Sequence, residues 1–301
     1  MNSTISLKEL LEAGCHFGHQ AQRWHPKAAS YIYTERDKVH IIDLVKTREG
    51  LKTACEYLTK TISSGGKVLF VGTKRQAKEI IREEAKRAGV FFISERWPAG
   101  LLTNFEVMKK NLDHMRDLKE KIVSEETKSS YTKREIGMWQ KELNKLELLY
   151  GGIAELASLP TVMFVVDVRK EAGAVKEANA KGVMVVGVVD TNSDPTSIDY
   201  PIPANDDAIG SIKIVTKYIT DAVEEGKRLY EKKKVEDKEK VSRETEVARL
   251  PRETEVAEKK TESEKLPTFA KASAGKKVKS EEVKKKKTTV KKIKVKKDKS
   301  I

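Results

Sequence analysis

With 301 residues, 38% of them hydrophobic, and a formal net charge of +14, the chain has material for one large core or two ordinary ones. Residues 226–301 hold 27 Lys and Arg against 14 Asp and Glu, while residues 1–110 carry 19 basic and 12 acidic side chains and residues 111–225 carry 14 and 20, a polarity that suits a polyanion on one side of the body. Two cysteines without paired spacing exclude a disulfide framework, and with neither a leader-like N-terminus nor an apolar run near the ~18 residues of a membrane span, we expect a soluble cytoplasmic protein with no membrane partner.

Ser6 to Glu9 has the form of a capping box, Leu7, Leu10 and Leu11 give an apolar face, and Gly14 supplies a stop, which predicts a short opening helix. A loop rich in polar and aromatic groups follows, from Cys15 to Lys27, and then two extended pieces, Tyr31 to Tyr33 and Val39 to Ile42. Leu51, Ala54, Leu58 and Ile62 at helical spacing predict a helix over about Lys46 to Ser63. Gly65-Gly66 opens a short apolar strand that turns at Gly72 into a helix predicted from Lys74 to Ala88, half of a βαβ unit. Lys74, Lys78, Arg82 and Lys86 stand at i, i+4 spacing on its outer face, either as a solvated row or as a ridge facing phosphates.

Val90 to Ile93 reads as a second buried strand, followed by a loop with Arg96-Trp97. Phe105, Met108, Leu112, Met115 and Ile122 step by threes and fours with an interruption at Lys119, and Ile136, Trp139, Leu143, Leu146, Tyr150 and Ile153 repeat the pattern. The spacing predicts an antiparallel coiled-coil hairpin over 104–153, inserted between sheet strands. Thr161 to Val166 and Val183 to Val189 are continuous apolar runs, as strands covered on both faces should be, with a helix from about Lys170 to Lys181 between them. A short strand from Tyr200 to Pro203 and a helix from Asn205 to about Glu225 follow. Alternating strands and helices mean an α/β fold, a parallel sheet with helices on both faces, built from 1–103 and 154–225 as one discontinuous domain. From Gly226 apolar content collapses and lysine dominates, so 226–301 is expected to be a disordered basic tail. It contains a nine-residue step, Arg243 to Ala248 recurring as Arg252 to Ala257, and lysine clusters at 284–287 and 291–299 suited to a polyanion.

A parallel sheet invites an enzyme, yet the signatures are missing. Gly72 to Ala77 lacks the later glycines of the dinucleotide fingerprint, and no phosphate-binding loop of the GxxxxGK[ST] form or GxSxG elbow occurs. Asp190, Asp194, Asp199, Asp206 and Asp207 are near enough in sequence to suggest magnesium, but Asp194-Pro195 is turn chemistry and Asn205-Asp206 suits a helix start. Cys15, His16, His19 and His25 have the chemistry of zinc ligands, but their spacing matches no finger or ribbon, and no resident metal is expected. Arg23-Trp24 and Arg96-Trp97, flanked by Lys27 and Asn104, each set a guanidinium beside a large flat ring. Irregular RNA is read by such stacking and charge, unless each tryptophan packs the rim of the core.

Leu10 to Gln20 with Arg23-Trp24 and Pro26-Lys27, then Val68 to Lys74, Arg96-Trp97 with Leu102 to Phe105, Val189 to Pro195 and Asp199 to Ala208, closely resemble the bacterial small-subunit ribosomal protein S-two family, in order, over about residues 4–226. His25 stands where that family usually has Asn, and Pro98-Ala99 replaces a Leu-Gly pair. The resemblance implies a Rossmann-like, flavodoxin-type three-layer sheet of about five parallel strands, a protruding coiled-coil hairpin, no catalysis, no cofactor and no small-molecule substrate. It implies a ribosome-bound monomer on small-subunit rRNA, in contact with neighbouring small-subunit proteins and helping to dock ribosomal protein S-one. The residues expected to meet the rRNA are Arg23, Trp24, Lys27, Lys74, Arg75, Lys78, Arg82, Arg96, Trp97 and Asn104. The rivals are a nucleotide-binding Rossmann-like enzyme and a free RNA chaperone acting through the tail.

Overall fold

The computed structural model describes residues 5–124 and 130–247, with side chains through residue 236. In chain order the regular elements are α1 (Leu7–Glu12), β1 (Phe17–Gln20), β2 (Ile32–Arg36), β3 (Val39–Ile42), α2 (Leu44–Ile62), β4 (Val68–Val71), α3 (Lys78–Ala88), β5 (Phe91–Ile93) and α4 (Phe105–Val123). They continue as α5 (Lys133–Tyr150), β6 (Val162–Val166), α6 (Ala172–Lys181), β7 (Met184–Val189), β8 (Tyr200–Pro203) and α7 (Ile209–Val247).

Five strands form one parallel sheet in the order β5-β4-β6-β7-β8. Relabelled by first appearance within the sheet, this is the doubly wound order 2-1-3-4-5, whose direction reverses between β4 and β6. Strand alternation divides the apolar residues between two layers. Val68, Phe70, Val162, Phe164, Val186 and Val188 point to a core completed by Leu51 and Leu58 of α2, Ile81 of α3 and Ile212, Val215 and Ile219 of α7. Leu69, Val71, Met163, Val165, Val185 and Val189 point to the opposite core with Leu102, Leu156 and Val175. Phe70 and Phe164, paired across β4 and β6, meet edge-on with centroids 5.2 Å apart, an arrangement worth about 1 kcal/mol beyond the area it buries. The expected parallel α/β sheet is thus present, with its continuous apolar strands buried on both sides.

A second sheet, antiparallel in the order β1-β3-β2, carries the N-terminal segment. Helices α4 and α5 pack on each other through Met115, Leu118 and Leu143, with Ile122, Trp139 and Leu146 around them. Leu118 joins this seam where the heptad spacing points to Lys119, whose ammonium instead pairs with Glu147 at 3.4 Å.

Several boundaries depart from expectation for identifiable reasons. Ser6 precedes α1 but makes no side-chain cap bond, so the capping box is absent although Gly14 takes the left-handed conformation, φ 76°, just beyond the helix. Helix α2 starts two residues early because Asp43 caps it, accepting from the Val45 amide at 2.9 Å. Helix α3 begins at Lys78 rather than Lys74, and residues 74–77 form a turn in which the Ala77 and Lys78 amides both donate to the Lys74 carbonyl. The last helix starts later than expected and runs past Glu225 to Val247, with Gly226 packed against Ile62 and Thr59 of α2. The expected change at Gly226 is therefore not a break in the helix. Residues 248–301, with the second half of the nine-residue step and both lysine clusters, lie outside the described residues, as does 125–129 of the expected hairpin turn.

Candidate functional site

Parallel strands end on one edge, and their following loops bring distant residues together there. Lys74 follows β4, Asp167 follows β6, Asp190 follows β7, and Asp206 and Asp207 follow β8. The Lys74 ammonium is 2.7 Å from Asp206 Oδ1, 2.6 Å from Asp207 Oδ1 and 3.3 Å from Asp167 Oδ2. Burial opposes its charge, but the hydrogen bonds to Asp206 and Asp207 outweigh that and raise its pKa above the ordinary lysine value. Burial first, and then Asp190 and Asp167, push the Asp206 carboxyl up to about 7 against the pull of Lys74. Asp167 itself adopts φ 67°, a left-handed conformation that Asp tolerates better than most residues, and its Oδ1 accepts from the Lys170 amide at 2.9 Å.

The N-terminal loop is fastened to the same edge. The His19 amide donates to Thr191 Oγ1 at 2.9 Å, the His25 amide donates to the Thr191 carbonyl at 2.7 Å, and the Asn205 amide donates to the Cys15 carbonyl at 3.1 Å. Gly18 lies so close to Thr191 that an added Cβ would stand 2.7 Å from its methyl, so the approach needs glycine. His19 Nδ1 is 3.1 Å from Asp190 Oδ1, and Nε2 is 3.3 Å from Asp207 Oδ2. The hydrogen bond with Asp190 raises the His19 pKa, opposed by burial and helped by the charges of Asp190, Asp206 and Asp207.

The four sequence candidates for zinc do not converge. Cys15 is buried, which pushes its thiol up and away from the thiolate form, although Ser211 counters this in part. His16 leaves a buried Nδ1 without a partner, and His25 accepts from the Lys27 amide through Nδ1 at 3.3 Å. Only His19 joins the acidic loops.

Of the residues expected to face RNA, some are spent inside the chain and others are free. Lys27 donates to Asp194 Oδ2 at 2.7 Å and Thr196 Oγ1 at 3.0 Å, and its ammonium holds the Asp194 carboxyl below the usual range. Lys78 pairs with Glu95, and Arg82 reaches Glu95 at 3.1 Å and Glu79 at 3.5 Å. With Lys74 also paired, the row expected along α3 is largely neutralised within the fold. Trp97 packs its ring beside the second core and donates from Nε1 to Glu177 at 3.0 Å. Arg23, Arg75 and Arg96 are at least partly exposed and, among the described residues, make no hydrogen bond or ion pair through their side chains. Asn104 is exposed at the start of α4 and gives that helix no side-chain cap. Trp24 is 41% exposed and stacks on His40, centroids 5.5 Å apart and planes 20° from parallel.

Two residues carry roles that the sequence does not single out. Glu177, in the middle of α6, accepts from Trp97 Nε1 and the Gly100, Leu102 and Thr103 amides, and so fixes the whole Arg96 loop. Nothing in its sequence context announces that role. Asp167 is the other, and its position directly after a strand at the reversal of the sheet is a usable signal. At that reversal Gly72 serves close packing, since an added Cβ would meet Ile81 at 2.8 Å. A nucleotide phosphate there would face Asp167, Asp206 and Asp207 across one lysine, which disfavours the enzyme rival.

Comparison with known proteins points the same way. The family described as Ribosomal protein S2 matches residues 10–226. The small ribosomal subunit protein uS2 of Fusobacterium nucleatum is 48% identical over 224 residues, covering 74% of this chain and 91% of that protein. A match of this extent, together with the parallel sheet, places the chain in the ribosomal protein S2 family, a structural and non-enzymatic constituent of the small ribosomal subunit.

Proposed function

We propose that the chain binds small-subunit rRNA through the carboxyl edge of its parallel sheet, with Arg23, Arg75 and Arg96 on phosphate and Trp24 presented beside them. The observation that carries this is the contrast along that edge: three arginines keep free guanidiniums while Lys27, Lys74, Lys78 and Arg82 are matched by carboxylates. Arg75 and Arg96 follow adjacent strands β4 and β5, and the Arg23-Trp24 loop is fastened to the segment after β7. Free guanidiniums release counterions on meeting phosphate, whereas a paired cation must first give up its carboxylate. Asn104 completes the exposed set, and Lys27, Lys78 and Arg82 serve only where RNA displaces their partners. Lys74 and Trp97 position the loops from within. The α4–α5 pair is the coiled-coil arm of this reading, open to neighbouring small-subunit proteins and to ribosomal protein S-one, and the protein acts as a ribosome-bound monomer in the cytoplasm.

The rival that survives is an RNA chaperone working through residues 248–301. Pelleting with small subunits across a salt series, comparing full-length protein with a truncation after Val247, separates the two. Retained association of the truncated chain at high salt supports the folded edge; association lost with the tail alone would overturn it.

A further inference from the structure

We propose that Arg169 is a further RNA-binding residue, and that Arg96, Arg75, Arg169 and Arg23, in that order, form a row of guanidiniums holding one continuous run of phosphate backbone. The proposal rests on the reading that the carboxyl edge of the sheet faces rRNA, and it turns separate contacts into a track with a direction. Arg169 is exposed and, among the described residues, makes no hydrogen bond or ion pair through its side chain. It lies in the turn between β6 and α6, and the polar groups around it there are engaged elsewhere. Asp167, at φ 67°, accepts from the Lys170 amide at 2.9 Å through Oδ1 and faces the Lys74 ammonium at 3.3 Å through Oδ2. Lys170 donates to the Thr73 carbonyl at 3.0 Å, and Glu171, 4% exposed, accepts from the Thr73 hydroxyl. Both acids flanking Arg169 are therefore committed to other donors, and the turn is pinned at two points to Thr73, close to Arg75 in the chain.

The same arrangement recurs on the neighbouring strands. Glu95, beside Arg96, takes Lys78 and Arg82, while Asp206 and Asp207 close on Lys74 and leave Arg75 exposed. Strand order makes a row of these positions. The sheet runs β5-β4-β6-β7, and Arg96, Arg75 and Arg169 follow the first three strands. The loop carrying Arg23 is held to the segment after β7 through the His25 amide and the Thr191 carbonyl, 2.7 Å apart. Adjacent strands are about 4.8 Å apart, so the four attachment points span about 15 Å. A line of cations at that pitch, on side chains long enough to adjust, suits successive phosphates of one strand, each of which a guanidinium can grip with two N–H groups. An RNA backbone repeats its charge at every nucleotide, whereas an acidic protein segment seldom does so at every residue.

The test measures binding of full-length protein to a small-subunit rRNA transcript across a salt series. Arg169→Ala should make the log-log slope shallower by about 0.7, the share of one phosphate on a single strand, with unchanged circular dichroism. Arg169→Lys, which keeps the charge, and Lys217→Ala, an exposed position on α7, should hold the wild-type slope. Ethylation interference should then show that Arg96→Ala, Arg75→Ala and Arg169→Ala each lose sensitivity at a different phosphate, in that order along one strand. A slope changed by the triple variant of Arg23, Arg75 and Arg96 but not by Arg169→Ala would overturn the proposal and leave the RNA-facing edge standing; no change in either would overturn both. Interference sites scattered over separate strands would refute the track. Weakened association of Arg169→Ala with intact subunits, alongside undiminished binding to the transcript, would also overturn the proposal by assigning Arg169 to a neighbouring protein.

Discussion

Glu177 shows how one side chain can order a surface loop. Its carboxylate collects the Trp97 indole N–H, three backbone amides and the Thr103 hydroxyl, and although burial opposes ionisation, these donors lower its pKa. A folded pKa below the unfolded one, ordinarily near 4.3, means that the stabilisation is present above that value and is lost as pH falls through the folded pKa. Glu177→Gln removes the charge and turns an amide NH2 toward N–H donors, which should cost about 2 kcal/mol at pH 7. Urea melts at pH 7 and at pH 3 check both statements, because the gap between variant and wild type should narrow in acid. Sequence alone offers Trp97 two roles, stacking plane or rim of the core, and cannot choose, since the deciding partner lies 80 residues away. Trp24, flanked by a similar arginine, stays exposed because its loop lies over β3 and not over a core.

At the scale of elements, strand and helix identity is legible because burial writes itself into periodicity. Val162 to Val166 and Met184 to Val189 are apolar throughout since both faces of the sheet are covered. Helix boundaries are less legible where a side chain has a tertiary engagement. Lys74 looks like the first turn of a helix, yet its ammonium is drawn into the carboxylates after β6 and β8, and the helix waits until Lys78. Close packing is the least visible quantity. Gly50 sits inside α2, where alanine would ordinarily gain about 1 kcal/mol of helix propensity. Here an added Cβ would stand 2.6 Å from the Pro201 carbonyl of β8. Gly50→Ala should therefore destabilise the protein by about 2 kcal/mol, read as a lowered Tm in thermal unfolding, as α2 is forced off the edge strand.

Across the whole molecule, fold class and family are readable because long motifs survive in order, while the site is readable only in part. Its acidic members come from separate strand ends and His19 from a small sheet near the N-terminus, so no spacing in the chain reveals that they meet. The general rule that α/β sheets collect function at their carboxyl ends indicates the region but not which cations remain free within it. Ion pairing decides that. Lys74, Lys78 and Arg82 are neutralised internally, and Arg23, Arg75 and Arg96 are left to the surface. The most direct measurement is the salt dependence of binding to small-subunit rRNA by full-length protein and by the triple variant Arg23→Ala, Arg75→Ala, Arg96→Ala. A log-log slope shallower by about 2 to 3 in the variant is the predicted result, as each arginine neutralises about one phosphate. An unchanged slope would contradict the assignment of the RNA-facing surface to the carboxyl edge of the sheet.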